Sequence, residues 1–335
     1  MMADTKAKFF HIMEILLDTD EEHPKTAVQI SKILDEKYGI AAERKSICRD
    51  INVLRGECEM DIVQAHDNKD GFFLASRTFE DWQLKFLIDA VLASKTLAEK
   101  DARDLVEKLR QQGSPTSRQL LSQITPVAPQ PVGDRRKVKN YIDAIMQAIR
   151  ANRQIAFQYL HFDIEKQQKP RRDRRYQVSP YALVRKGDNY YLICNYSKYD
   201  NLSYYRLERM GSLHILNDVP RKPLKEFFGA HERTGLTDFV HQSLYSWTGE
   251  PICLHLKFPS YELDDIIDQF GRDVELKPLE GDFCEGSVKV QAGPGLYFWL
   301  MQRADNVQVL APQAVREKLV RMLKNTLALY EQSEE

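Results

Sequence analysis

Between Lys166 and Arg175 the chain packs six cations, Lys166, Lys169, Arg171, Arg172, Arg174 and Arg175, against the single anion Asp173, a net charge of +5. Further on, Arg206 and Arg209 stand three apart in Tyr204-Tyr205-Arg206-Leu207-Glu208-Arg209. Guanidinium forks take phosphate or carboxylate oxygens two at a time, and tyrosine rings give bases a face to stack on. Arg171, Arg172, Arg206 and Arg209, with Tyr181, Tyr191 and Tyr204, therefore describe a cationic, aromatic surface suited to an anionic ligand, a nucleotide or a short single-stranded nucleic acid. Ser179 and Tyr181 are expected to line the same pocket from the neighbouring strand. A charge run by itself is usually a solvated loop; the position of this one, beside the strand carrying the two arginines, points to a ligand. On a strand, residues three apart face opposite ways, so the two arginines converge on one ligand only if the strand bends. Tyr205, Leu207 and Arg209 share the face expected to look into the core, which leaves Arg206 as the primary contact.

A second cluster lies near the start. A helix over 44–55 with Ile47, Ile51 and Leu54 on its buried stripe turns Lys45, Arg49 and Asn52 outward, with Arg44 and Ser46 on the flanks. Ile62-Val63 and Phe72-Phe73-Leu74 follow as a hairpin whose turn carries Lys69. Such a set can contact the phosphates and base edges of a DNA duplex. Catalytic chemistry is harder to find. There is no Gly-rich phosphate loop, serine elbow or metal-ligand cluster, and Cys253 and Cys284 lie on strands without a paired histidine motif. His161 and His214 read as structural. The expectation is a protein with no cofactor, no metal and no enzymatic activity.

The positioning elements follow from composition and pattern. The 335 residues allow two or three domains, and a formal net charge of -1 means that nucleic-acid binding must rest on local patches. Five scattered cysteines without Cys-x-x-Cys spacing indicate a reducing compartment. No signal-peptide run or membrane-length apolar stretch is present, so a cytoplasmic protein is expected. Phe9, Ile12, Met13 and Leu16 mark a first helix; Thr26-Ala27-Val28-Gln29 is a capping box opening a second, which Gly39 ends. With the helix over 44–55 and the hairpin, residues 1–80 read as a winged helix-turn-helix. Residues 81–134 form a helical connector, with an apolar stripe at Leu84, Leu87, Ile88, Val91 and Leu92, and a proline-rich linker. Residues 135–220 give a helix and about five short strands, as an SH3-like or Sm-like barrel needs. Residues 221–250 read as a linker, and 251–335 as alternating strands and helices of a small α+β layer.

Ser179-Pro180-Tyr181, Tyr190-Tyr191-Leu192 and Arg206-Leu207-Glu208-Arg209 together resemble the WYL domain of bacterial transcriptional regulators, with tyrosine at 190 in place of tryptophan. The resemblance implies a ligand-sensing role and favours both arginines. Ser46 to Leu54 resembles the recognition helix of the same regulators, with serine for the usual threonine. It implies that Arg49 holds a phosphate while Arg44, Lys45 and Ser46 enter the major groove. Residues 79–97 resemble a connector that often packs against its counterpart in a dimer; packing within the chain accounts for the same stripe. The Trp299-Leu300 helix, the Val309-Leu310-Ala311-Pro312 turn and the last helix resemble the C-terminal extension found with WYL domains. The fold expected is multi-domain α+β: a winged helix-turn-helix, a central SH3/Sm-like β-barrel and a C-terminal α+β domain. The function expected is a dimeric transcriptional regulator that binds double-stranded DNA under control of an anionic effector. The alternative is an RNA- or single-strand-binding accessory protein without promoter specificity.

Overall fold

The computed structural model describes residues 2–65, 71–94, 96–122 and 137–331. The chain divides into two compact units, Met1–Val132 and Gly133–Glu335.

In the first unit, helices α1 (Met2–Leu17), α2 (Ala27–Tyr38) and α3 (Arg44–Gly56) pack around Ile12, Ile30, Leu34, Ile47, Ile51 and Leu54, all fully buried. Helix α2 starts where its capping box requires: the Gln29 N–H donates to Thr26 Oγ1 at 3.2 Å, and the Thr26 N–H to Gln29 Oε1 at 2.8 Å. It stops at Gly39, whose φ of 66° closes the left-handed cap. Strands β1 (Lys25–Thr26), β2 (Ile62–Gln64) and β3 (Gly71–Leu74) form an antiparallel sheet in the order β1-β3-β2. A Cβ at Gly71 would lie 2.9 Å from Pro24 Cβ, so glycine lets β3 come this close to β1.

Helices α4 (Asp81–Leu92), α5 (Glu99–Arg110) and α6 (Pro115–Ser122) follow. Leu84 and Ile88 are fully buried against Val106 and Leu121, with Val91 and Leu92 at the margin, so the apolar stripe of the connector is consumed within the chain. Trp82 and Phe86 remain outward, 64% and 67% exposed. Polar contacts tie α6 back to the end of α1. Arg118 pairs with Asp18 at 2.8 Å, and the Thr116 N–H donates to Asp20 Oδ2 at 2.9 Å.

The second unit opens with α7 (Val138–Arg150). Then come β4 (Arg153–Phe162), β5 (Gln168–Pro170), β6 (Tyr176–Lys186), β7 (Asn189–Tyr196), β8 (Leu202–Arg206), a 3-10 turn Leu207–Arg209 and β9 (Met210–Pro220). The antiparallel order is β9-β4-β6-β7-β8, with β5 on the far end of β4. Among the described residues no ladder joins β8 to β9, so the expected barrel is an open sheet. The reason is local: at Leu207 the chain leaves extended geometry for the 3-10 turn, and β9 pairs with β4 instead. One face of this sheet packs on α7 through Ile145, Ile155, Phe157, Leu192, Leu207 and their neighbours.

Residues 221–250, expected to be a linker, hold α8 (Lys225–Phe228), α9 (Glu232–Gln242) and a 3-10 turn Leu244–Ser246. Phe227, Phe228, Leu236, Phe239 and Val240 cover Tyr181, Ile193 and Leu202, which lie outside the core against α7. The chain continues with β10 (Pro251–Pro259), α10 (Leu263–Phe270), β11 (Glu275–Leu279), β12 (Phe283–Gln291), α11 (Pro294–Gln302), β13 (Gln308–Ala311) and α12 (Gln313–Glu331). The antiparallel order β11-β12-β10-β13 is that of a ferredoxin-like β-α-β-β-α-β unit, with α12 added. Sequence pattern missed β11, an edge strand that contains Pro278 and only weak alternation.

Candidate functional site

The outward face of α3 carries Arg44, Lys45, Arg49 and Asn52, all exposed, opposite Ile47, Ile51 and Leu54. Arg44, Cys48 and Asn52 also line a groove shared with Thr26 and Val28 at the start of α2 and with Gln64 and Phe72 of the hairpin. Ser46 departs from its expected role. It is half-buried and accepts from Lys8 Nζ of α1 at 2.5 Å. The same ammonium lies 2.9 Å from Asp50 Oδ2, as an ion pair whose aligned hydrogen bond goes to Ser46 instead. Lys8 thus grips α3 at two positions one turn apart, adding to the buried stripe Ile47, Ile51 and Leu54 that turns this face outward. Spacing on α3 alone could not reveal this, because the gripping residue lies 38 positions upstream. Lys69 lies outside the described residues.

The second set of site residues is split. Strand β8 ends at Arg206, whose N–H donates to Tyr159 Oη at 3.2 Å, and the 3-10 turn folds Glu208 back onto Arg206. The Arg206 guanidinium pairs with Glu208, a buried carboxylate, and donates to Asn189 Oδ1 at 2.6 Å. The strand parity assumed for residues 204–209 therefore fails beyond Arg206. Leu207 still faces the core, where it is fully buried with Tyr205 beside it. Arg209 sits half-exposed in the turn, with no ion-pair or hydrogen-bond partner for its side chain among the described residues. Tyr191 stands directly opposite Arg206 in the β7–β8 ladder and meets Tyr204 edge-on at 6.1 Å.

Ser179, Tyr181 and Tyr204 do not form an open pocket with Arg206. The buried Ser179 Oγ accepts from the Lys222 N–H at 3.0 Å. Tyr181 Oη donates to Lys222 O at 2.8 Å, and burial raises its phenol pKa. Tyr204 stacks on Phe239, centroids 5.3 Å apart at 12°, and burial pushes its pKa up to about 12. Helices α8 and α9 claim this face, and a reading that takes 221–250 as a linker leaves it bare. Arg171 and Arg172 are exposed; Arg172 lies 5.1 Å above the Tyr176 ring. That ring belongs to a cluster with Phe157, Tyr159 and Tyr205. The structure thus sets Arg172 over one ring of this aromatic cluster, Arg206 against it through the N–H to Tyr159 with its guanidinium at Asn189 and Glu208, and Arg209 half-exposed in the adjoining turn.

Asn189 and Glu208 are partners that sequence reasoning passed over. Asn189 was findable, since the tight turn at Gly187 returns it beside the β7–β8 ladder; Glu208 was hidden by the assumed parity. Cys253 has a histidine after all: His255, two residues along β10 on the same face, places Nε2 3.6 Å from Sγ, and Ser287 Oγ lies 3.2 Å away. His161 and His214 are exposed, and among the described residues no His, Cys, Asp and Glu group could hold a metal ion. Among the described residues no helix is long and apolar enough to cross a membrane.

Residues 140–215 match the family model of the WYL domain, and residues 250–327 match that of the WCX domain. The chain therefore carries a WYL domain followed by a WCX domain. Among solved structures it is similar to proteasome accessory factor B/C (PafBC) of Arthrobacter aurescens, at 16% identity over 97% of this chain and 49% of that one, with a TM-score of 0.29. It is also similar to a CRISPR Cas-related protein, at 13% identity over 100% of this chain and 86% of that one, with a TM-score of 0.37. The chain spans about half the length of the first of these. No curated protein matches it.

Proposed function

We propose that this protein is a transcriptional regulator that binds duplex DNA through residues 2–74, acting as a winged helix-turn-helix. Its WYL domain, a sheet of SH3/Sm-like strand order, senses an anionic effector. The observation that carries the reading is the face of α3: four polar or cationic side chains stand outward along one helix, with a hairpin beside it, on a core that fixes the helix rotation. The N-terminus of α2 opens next to that face, where the positive end of the helix dipole favours a phosphate. In the groove Arg49 holds a phosphate, and Arg44, Lys45 and Asn52 reach base edges. The effector is a nucleotide or oligonucleotide held by Arg172 and Arg209 at the tyrosine cluster, with Arg206 positioned by Glu208 and Asn189. Exposed Trp82 and Phe86 are the surface on which two copies pair. The protein is not an enzyme.

Selection from a random duplex pool, followed by anisotropy titrations with duplex DNA, single-stranded DNA and RNA, tests the reading. Duplex preference is expected. Arg49→Ala should weaken all duplexes, while Lys45→Ala should also shift the selected sequence, each base contact contributing about 1–3 kcal/mol. Equal or tighter binding of RNA and single strands, unchanged by either substitution, overturns the duplex reading in favour of a single-strand-binding accessory protein.

A further inference from the structure

A cavity of about 670 Å³ lies where the β6–β7 hairpin of the WYL domain meets the end of α9, the turn Leu244–Ser246 and the end of α10. That is mid-range for a small-molecule site, and seams between domains are where such sites concentrate. Three features make it more than a packing gap. Lys186 Nζ, on its wall, donates to Val240 O and Ser243 O, both at 2.6 Å, and an ammonium has a third N–H to give. Ser246 also lines the cavity, and its hydroxyl is buried with no hydrogen-bond partner among the described residues. Asn189 spends its Oδ1 on Arg206, which leaves its amide N–H groups as donors.

The wall is thus rich in donors. The one carboxylate among the lining residues, Asp188, already interacts within the chain. Aromatic surface completes the site: Tyr191, Tyr245 and Phe270 line it as well. The segment that carries two of these groups is held in an unusual backbone state. Tyr245 and Ser246 have φ of 50° and 60°, the left-handed region that side chains other than glycine rarely adopt. Such consecutive outliers cluster at sites that hold ligands. Acceptor anion plus planar ring is the ligand chemistry that matches, and the volume exceeds what a bare phosphate fills.

We propose that this cavity binds a nucleoside monophosphate, with its phosphate on Lys186, Ser246 and Asn189 and its base against Tyr191 and Tyr245. The site is separate from the tyrosine cluster under Arg172 and does not depend on the DNA-binding reading. Asn189 joins it to Arg206, so occupancy would be felt at the arginine that the WYL strand presents.

Calorimetric titration of the full chain with AMP, CMP, adenosine and inorganic phosphate tests the proposal. AMP or CMP should bind, while adenosine and phosphate alone should bind at least about tenfold more weakly. Ser246→Ala, which should fold normally, is expected to weaken the nucleotide about fivefold, and Lys186→Met about tenfold or more. Arg172→Ala should leave it unchanged. No heat with AMP or CMP at about 1 mM overturns the proposal. So does binding that survives Ser246→Ala and Lys186→Met, or binding lost in Arg172→Ala, which assigns the nucleotide to the tyrosine cluster instead.

Discussion

Replacing Lys8 by methionine should do more damage than a surface charge change. The Lys8 and Asp50 side chains are 11% and 16% exposed at 2.9 Å. An exposed pair contributes at most about 1 kcal/mol, and breaking a fully buried one costs about 3–5 kcal/mol. At this burial the expected cost of Lys8→Met is about 2 kcal/mol, since Asp50 keeps its charge without a partner and Ser46 loses its donor. For a unit of 132 residues the unfolding entropy is about 0.27 kcal/mol/K, so the loss lowers Tm by about 7 °C. Calorimetry of Lys8→Met, Asp50→Ala and the double variant forms a cycle with an expected coupling of about 1.5 kcal/mol. DNA binding of Lys8→Met should fall even where the protein remains folded, because α3 loses a clamp that helps set its rotation. If Asp50→Ala costs the same with and without Lys8, within about 0.3 kcal/mol, the pair does not orient α3 and the reasoning is refuted.

Ile88→Ala should remove about 3 kcal/mol, because Ile88 is fully buried between α4 and α5, and circular dichroism melts should show it. Trp82→Ala with Phe86→Ala should leave the circular dichroism spectrum unchanged and convert a dimer to a monomer in light scattering, with the melt falling only by the lost association; a monomeric wild type at micromolar concentration removes the dimer proposal. Burial lowers the Lys186 pKa from 10.5 to about 8, against two carbonyls that hold the charged form. The unfolded chain then binds the extra proton between these values, so stability should rise from about pH 8 to 10.5, by about 1 kcal/mol after discounting for solvent. Lys186→Met should lack that rise. Although burial pushes the Asp20 pKa up, hydrogen bonds from the Thr116 N–H, His23, Thr116 and Ser114 hold it well below the usual carboxylate range. The advantage of wild type over Asp20→Asn should be full above the ordinary carboxylate pKa and shrink as pH falls through the depressed one; acid titration of the melt reads it.

Local chemistry carried most of the first unit and the element order of the second. The Thr26–Gln29 box and Gly39 bound α2 because capping is decided within four residues, and the 3.6-residue period at Ile47, Ile51 and Leu54 says which side of α3 is buried. The tight turn at Gly187 and the alternation around it likewise specify the hairpin. What the sequence left undecided depends on groups far apart in the chain. Ser46 lies on the flank of α3 by spacing and is taken up by Lys8, 38 residues away. The apolar stripe of α4 leaves pairing with a second copy and packing within the chain both open until α5 and α6 fold onto it. Parity turns Arg209 toward the core; a 3-10 turn, with Leu207 in the core and Glu208 paired to Arg206, cancels that parity and leaves Arg209 half-exposed. Ser179, Tyr181 and Tyr204 are taken by helices that cover one sheet face. Periodicity reports which side of an element is apolar; only tertiary packing decides what covers that side, and so which polar groups remain free to bind.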